Sequence, residues 1–211
     1  MLDSSQYAKI LVGIFVIVNP LGMVPAFLSL TSNRTPKEAA ATARTAAITA
    51  CLILLVAAVS GTAILKFFGI GVPAFRLAGG LLLLFVGIDM LHAKQSRHQQ
   101  TPGESREAQD KEQVGIVPLA IPLLAGPAAM STVVLYAHEG SHWYHTAIVC
   151  GMVVFVCAVV YVAFRLGVRI ARLLGKTGIN VFTRLMGLIL VALAFEFMTG
   201  GLSQIFPGWK G

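Results

Sequence analysis

Six apolar stretches, each long enough to cross a lipid bilayer, constrain this chain more than any other feature. A membrane-crossing helix needs about 20 predominantly apolar residues. The stretches cover residues 8–31, 45–68, 73–92, 114–137, 146–166 and 181–206. Most are apolar all round, so helical periodicity is weak, as expected where lipid or protein covers every face. Of 211 residues, 12% are charged and 56% apolar. A soluble domain carries about 25% charge, and charges this sparse cannot cover a globule in water. A disordered chain and an ordinary soluble enzyme are excluded. The expected class is an all-α membrane protein with six transmembrane helices, its first partner the lipid bilayer.

The formal net charge is +7. Its distribution speaks against nucleic acid, because the bases form short clusters between apolar runs and no basic stripe is interleaved with aromatics. The same clusters predict orientation. Connections after the first, third and fifth stretches hold Arg34, Lys37, Arg44, Lys94, Arg97, Arg106, Lys111, Arg165, Arg169, Arg172, Lys176 and Arg184. The opposite side holds only Lys9, Lys66, Arg76 and Lys210. The positive-inside rule puts the rich side in the cytoplasm and both termini outside an inner (plasma) membrane. Met1-Leu2-Asp3-Ser4-Ser5 lacks a basic n-region and no small-residue cleavage site follows, so the first helix is expected to stay. Residues 93–113 mix four acids with four bases and read as a flexible cytoplasmic linker within a single membrane domain, 1–211. The three cysteines, Cys51, Cys150 and Cys157, lie in apolar runs and form no CxxC site or disulfide framework.

The linker separates two three-helix halves, 1–92 and 114–211, that resemble each other. Pro20-Leu21-Gly22-Met23-Val24-Pro25-Ala26 aligns with Pro122-Leu123-Leu124-Ala125-Gly126-Pro127-Ala128 at an offset of 102. Arg76-Leu77-Ala78-Gly79 aligns with Arg184-Leu185-Met186-Gly187 at an offset of 108. An odd number of helices per copy makes the second copy enter the membrane in the opposite sense. The expectation is an inverted repeat about a pseudo-two-fold axis in the membrane plane, a symmetry used for alternating access.

Pro20 and Pro25 flank Gly22 near the middle of the first stretch, and Pro118, Pro122 and Pro127 with Gly126 interrupt the fourth. Each proline removes a backbone donor and clashes with the preceding turn, so helices one and four are expected to be discontinuous. Unpaired backbone cannot face lipid and must be buried in protein or line a cavity. Half-helices beginning near Pro25 and Pro127 would turn free N–H groups and a positive dipole end toward an anion. The carbonyls ending the preceding pieces, near Asn19 and Ile121, would accept from a cation. Gly22 and Gly126 permit close approach of a ligand, Asn19 offers donor and acceptor, and Ser29, Ser131 and Thr132 add hydroxyls. The pocket so drafted suits a small zwitterion. The competing reading is a pair of proline kinks that only shape helix packing.

Asp89 and Glu196 occupy similar places in spans three and six and are candidates for proton or cation coupling, although Asp89 also lies within reach of the interface. Arg76 and Arg184 read as interfacial anchors. His138, His142 and His145 are spaced for one helix face, but Gly140 interrupts them beside Trp143 and Tyr144, which favours an interfacial belt over a metal site. No HExxH, GxSxG or P-loop is present, so no enzyme activity, metal or other cofactor is expected.

Three motifs carry a family resemblance. They are Asn19-Pro20-Leu21-Gly22-Met23-Val24-Pro25-Ala26-Phe27-Leu28-Ser29-Leu30-Thr31, Phe75-Arg76-Leu77-Ala78-Gly79-Gly80-Leu81-Leu82 and Pro118-Leu119-Ala120-Ile121-Pro122-Leu123-Leu124-Ala125-Gly126-Pro127. With the length and the six spans, they make the chain resemble the MarC family of bacterial inner-membrane proteins over essentially its whole length. The family's name implies multiple antibiotic resistance, a label that came from genomic neighbourhood. It includes SnatA-type transporters of small neutral amino acids. The resemblance therefore implies a small-amino-acid transporter and places the site on Asn19, Pro20, Gly22, Pro25, Pro122, Gly126 and Pro127. The alternatives are a structural or regulatory membrane protein without transport, or an exporter of other small metabolites or drugs.

Overall fold

The computed structural model describes residues 3–92, 115–139 and 143–209. All regular structure among them is helical. The expected linker 93–113 and His142 lie outside the described residues.

Local capping explains where the helices begin. Helix α1 (Ser4–Val18) starts on Asp3, whose carboxylate accepts from the Ser4 N–H at 2.7 Å while the Gln6 side chain accepts from the Asp3 N–H at 2.9 Å. After a turn comes α2 (Val24–Leu30), with Pro25 in its first turn, where a missing N–H leaves nothing unpaired. Helix α3 (Pro36–Phe67) opens on a reciprocal cap. The Glu38 N–H donates to the Thr35 hydroxyl at 3.3 Å, and the Thr35 N–H donates to the Glu38 carboxylate at 2.8 Å. Helix α4 (Val72–Leu91) follows. A wide-turned helical segment (Gly115–Leu124) leads into α5 (Pro127–His138), α6 (Trp143–Arg165) and α7 (Gly167–Ile205). Gly175 divides α7 at φ 62° and ψ 178°, a conformation open to glycine alone.

Among the described residues four helices, α3, α4, α6 and α7, are long and apolar enough to cross a membrane. The first and fourth expected stretches are each built from two shorter pieces: α1 with α2, and the wide-turned segment with α5. The outer faces are apolar. On α3, Ile48, Leu52, Val56 and Val59 form an exposed stripe, while Ala43, Ala46, Ala50, Leu54 and Ala58 are buried. Large apolar residues outside and small ones inside are the pattern of helices that pack closely in lipid.

The most intimate contact is an antiparallel seam between α4 and α7. A methyl group at Gly80 would stand 2.8 Å from the Ala194 carbonyl oxygen, one at Gly187 would stand 2.9 Å from that of Gly87, and one at Gly201 would stand 2.8 Å from that of Pro73. Residue numbers rise on one helix by the steps by which they fall on the other. Elsewhere α3 packs on α6 and α5, and α1 packs on α5 and α6. Gly13 of α1 makes room for the Tyr136 ring of α5, and Gly61 of α3 for Val134.

Candidate functional site

The first break is organised by one side chain. Asn19 is buried and left-handed, at φ 49° and ψ 62°. Asparagine tolerates this region because its short amide bonds locally. Its Oδ1 accepts from the Gly22 N–H at 3.2 Å, and its own carbonyl accepts from the Met23 N–H at 3.1 Å. A side chain at Gly22 would run into the Asn19 amide, so glycine is required here for space. Pro20 is buried beside Asn19, whereas Pro25 and Ser29 are exposed. With seven residues, α2 contributes little macrodipole, so the twelve-residue α5 provides the stronger anion-facing end.

The second break follows from the restriction that proline imposes on its predecessor. Val117 precedes Pro118 and Ile121 precedes Pro122, and both are extended at φ −123° and ψ 124°. Gly126, before Pro127, is extended at φ −72° and ψ 171°. The Ala125 N–H bridges back to the Ala120 carbonyl at 2.9 Å. Gly126 is buried and caps α5 with no side-chain hydrogen bond, while Pro127 is exposed. The buried Ser131 and Thr132 hydroxyls both donate to the Ala128 carbonyl, at 3.0 and 2.8 Å. Their protons are thus engaged, and they present lone pairs, suited to a cation, to any ligand. Val18, Val24 and Phe27 beside the first break and Leu124, Ala125 and Ala128 beside the second belong to one buried apolar cluster.

Asp89 and Glu196 are not brought together. The α4–α7 register sets them near opposite ends of the seam, roughly eleven residues or about 16 Å apart along the axis. Asp89 is half-buried, and its Oδ2 has no hydrogen-bond partner among the described residues. Glu196 is exposed and lines a cavity.

Two cavities flank the first stretch. One, of about 750 Å³, lies at its C-terminal end against Ser29, Arg34, Glu38, Thr42, Thr45 and Gly115. There the Arg34 guanidinium donates to the Thr42 hydroxyl at 3.3 Å. The other, of about 990 Å³, lies at the N-terminal end against Gln6, Lys9, Arg76, Tyr136, Glu139 and Glu196. Neither lining includes Asn19, Pro20, Gly22, Pro25, Gly126, Pro127, Ser131 or Thr132.

Arg76, expected as an interfacial anchor, turns inward. Its Nη2 donates to Glu139 Oε1 at 2.9 Å, and its guanidinium lies 5.9 Å from the centre of the Phe197 ring. Phe197 in turn meets Tyr136 edge-on at 5.3 Å. Burial pushes the Glu139 carboxyl above its ordinary value, Arg76 and His145 pull it back, and Glu196 adds to the rise. The sequence reading missed Glu139, because its partner lies 63 residues away and nothing local marks it. His145 is buried, with Nε2 2.7 Å from the Tyr136 carbonyl. That ring nitrogen donates to the carbonyl, and Nδ1 lies 3.2 Å from the Tyr7 hydroxyl. His138 is exposed on the larger cavity. Among the described residues no group of three or more His, Cys, Asp or Glu side chains is placed to hold a metal.

Comparison with known proteins gives the context. Residues 4–206 match the family model described as MarC family integral membrane protein. The UPF0056 membrane protein YhcE of Escherichia coli is 37% identical over 209 residues, 98% of this chain and 96% of that protein. The UPF0056 membrane protein YvbG of Bacillus subtilis is 38% identical over 204 residues, 96% of this chain and 97% of that protein. A UPF0056 membrane protein of Pyrococcus abyssi is 38% identical over 200 residues, 95% of this chain and 96% of that protein. No solved structure matches. The match along nearly the whole chain, on helices apolar enough for a bilayer, makes this protein a member of the MarC family of integral membrane proteins.

Proposed function

We propose that the protein is a secondary transporter of small neutral amino acids, glycine- or alanine-like, working by alternating access in the inner membrane. The observation that carries this reading is the pair of cavities at opposite ends of a first stretch that is broken between them. Under the positive-inside orientation, the cavity at Ser29 and Arg34 faces the cytoplasm and the cavity at Lys9 and Arg76 faces outward. The antiparallel glycine seam between α4 and α7 supports the inverted repeat, since equivalent helices of two inverted copies run in opposite directions.

The chemistry suits a zwitterion. The N-terminus of α5 at Gly126 and Pro127 offers backbone N–H groups to a carboxylate. Ser131, Thr132 and the carbonyls freed by Pro122 and the Asn19–Pro20 turn offer lone pairs to an ammonium. Gly22 and Pro25 complete the first break. Glu196 and Asp89 are the candidates for H⁺ or Na⁺ coupling. Uptake of glycine and alanine into proteoliposomes tests the reading. Flux above protein-free vesicles under an H⁺ or Na⁺ gradient is expected, and no flux under either gradient overturns it.

A further inference from the structure

The larger cavity holds a charge constellation that neither broken helix accounts for. Two cations, Lys9 and Arg76, and two carboxylates, Glu139 and Glu196, share its wall with the polar ends of Gln6 and Tyr136. Three helices supply three of the charges, α1 giving Lys9, α4 Arg76 and α7 Glu196, and the fourth, Glu139, follows the end of α5. Side chains from four places in the sequence thus converge on one concave surface of a volume that suits a small molecule.

Arg76 is held by Glu139 through Nη2 and by Phe197 across its face. Its Nε is buried, without a hydrogen-bond partner among the described residues, and closed off from the cavity. The side chain as a whole lines the cavity and keeps part of its surface exposed, and a carboxylate is the partner a guanidinium fits best. On the same wall, Glu196 is exposed, and its carboxylate accepts no hydrogen bond from a described side chain. An ammonium group is its natural counterpart.

We propose that this cavity is an outer docking subsite for the amino-acid zwitterion, with the Arg76 guanidinium and Lys9 receiving the carboxylate and Glu196 receiving the ammonium. Glu139 is a positioning residue: it holds the guanidinium in place and touches no ligand. The four charges sum to zero, so the cavity is matched to a neutral zwitterion and mismatched to a molecule carrying only one of the two charges. Phe197 also lines the cavity, with its ring centre 5.9 Å from the Arg76 guanidinium carbon, where the ring face favours the cation. The inference rests on the amino-acid reading above and adds a binding step ahead of the broken helices.

The test uses the full chain, purified, with glycine as probe and acetate and methylamine as single-charge controls. Thermal shift gives the half-saturating concentration, and proteoliposome uptake gives KM and kcat separately. Arg76→Lys keeps the charge but removes the planar guanidinium, and Glu196→Gln keeps the shape but removes the charge. Each variant is expected to raise the glycine half-saturation in thermal shift about tenfold, and Arg76→Lys to raise KM about tenfold with kcat changed less than about twofold. Neither acetate nor methylamine is expected to shift the wild-type melting temperature at concentrations where glycine does. Glu196→Gln lies on an exposed side chain and keeps the unliganded melting temperature of the wild type, so it remains informative if Arg76→Lys folds poorly. Wild-type half-saturation in Glu196→Gln overturns the subsite, while wild-type glycine flux in the same vesicles leaves the transporter reading standing. Absence of wild-type flux and of any glycine shift overturns both.

Discussion

Gly187 presses its α-carbon against the Gly87 carbonyl: a methyl group there would stand 2.9 Å from that oxygen, and 2.9 Å from the Met90 Cβ on the same helix. Both obstacles belong to backbone or to the first atom of a side chain, so neither can rotate away. Gly187→Ala is therefore expected to force α4 and α7 apart and to cost about 1–3 kcal/mol, the usual range for overpacking. A lowered melting temperature of the detergent-purified protein checks this. Gly151, which faces open space, serves as the control, and Gly151→Ala is expected to leave the melting temperature unchanged or slightly raised.

Asn19 combines a left-handed backbone with a side-chain acceptor for the Gly22 N–H. The two roles separate by substitution. Asn19→Gly keeps the backbone and loses the acceptor, whereas Asn19→Ala loses the acceptor and adds a left-handed penalty of about 1–2 kcal/mol. Stability should fall in the order wild type, glycine, alanine, measured by thermal melting. Equal losses in the two variants would show that the backbone conformation contributes nothing.

The buried His145 joins three helices, with the Tyr136 carbonyl on one ring nitrogen and the Tyr7 hydroxyl on the other. His145→Leu strips the Tyr136 carbonyl of this donor in a buried setting, at a cost of about 1–3 kcal/mol. Tyr7→Phe removes the longer bond only and should cost about 1 kcal/mol or less. Reversal of that order would place the anchoring bond at Tyr7.

Gly126 is extended rather than left-handed, so its backbone does not demand glycine. Gly126→Leu should insert and fold, yet fill the approach to the first N–H groups of α5. Uptake is expected to fall to the level of protein-free vesicles with normal expression in the membrane fraction. Unchanged flux removes Gly126 from the site.

Glu139 supplies a pH signature. Burial raises its carboxyl above the ordinary glutamate value of about 4.3. A carboxyl raised in the folded state contributes stability that is fully present below the unfolded value and is lost as pH rises through the folded one. Relative to Glu139→Gln, the wild type should therefore lose melting temperature as pH climbs from about 4 toward neutrality. A difference that grows in the other direction would mean that Arg76 outweighs burial.

The breaks were legible because their causes are local. Pro118 and Pro122 dictate extended backbone at Val117 and Ile121, and Asn19 before Pro20 announces a turn. The early start of α3 was equally local, yet missed. The Thr35-Pro36-Lys37-Glu38 cap is written plainly, but the membrane-length apolar run begins only at residue 45, beyond it. In α7 the apolar run likewise begins at residue 181, although the helix resumes directly after Gly175. Arg76 with Glu139 was illegible for a different reason. The pairing depends on how α4 and α5 are set against each other, and no spacing rule reaches across 63 residues. Gly22 was read as room for a ligand, and it is room for Asn19 first.

The seam of α4 and α7 also has a mechanical meaning. Where backbone rests on backbone, as at Gly80, Gly187 and Gly201, no rotamer change can relieve the contact, and there the two helices part only by losing it outright. They form a beam. In the alternating-access cycle proposed above this pair is the support, and movement falls to the pieces that end in turns, α2 and α5.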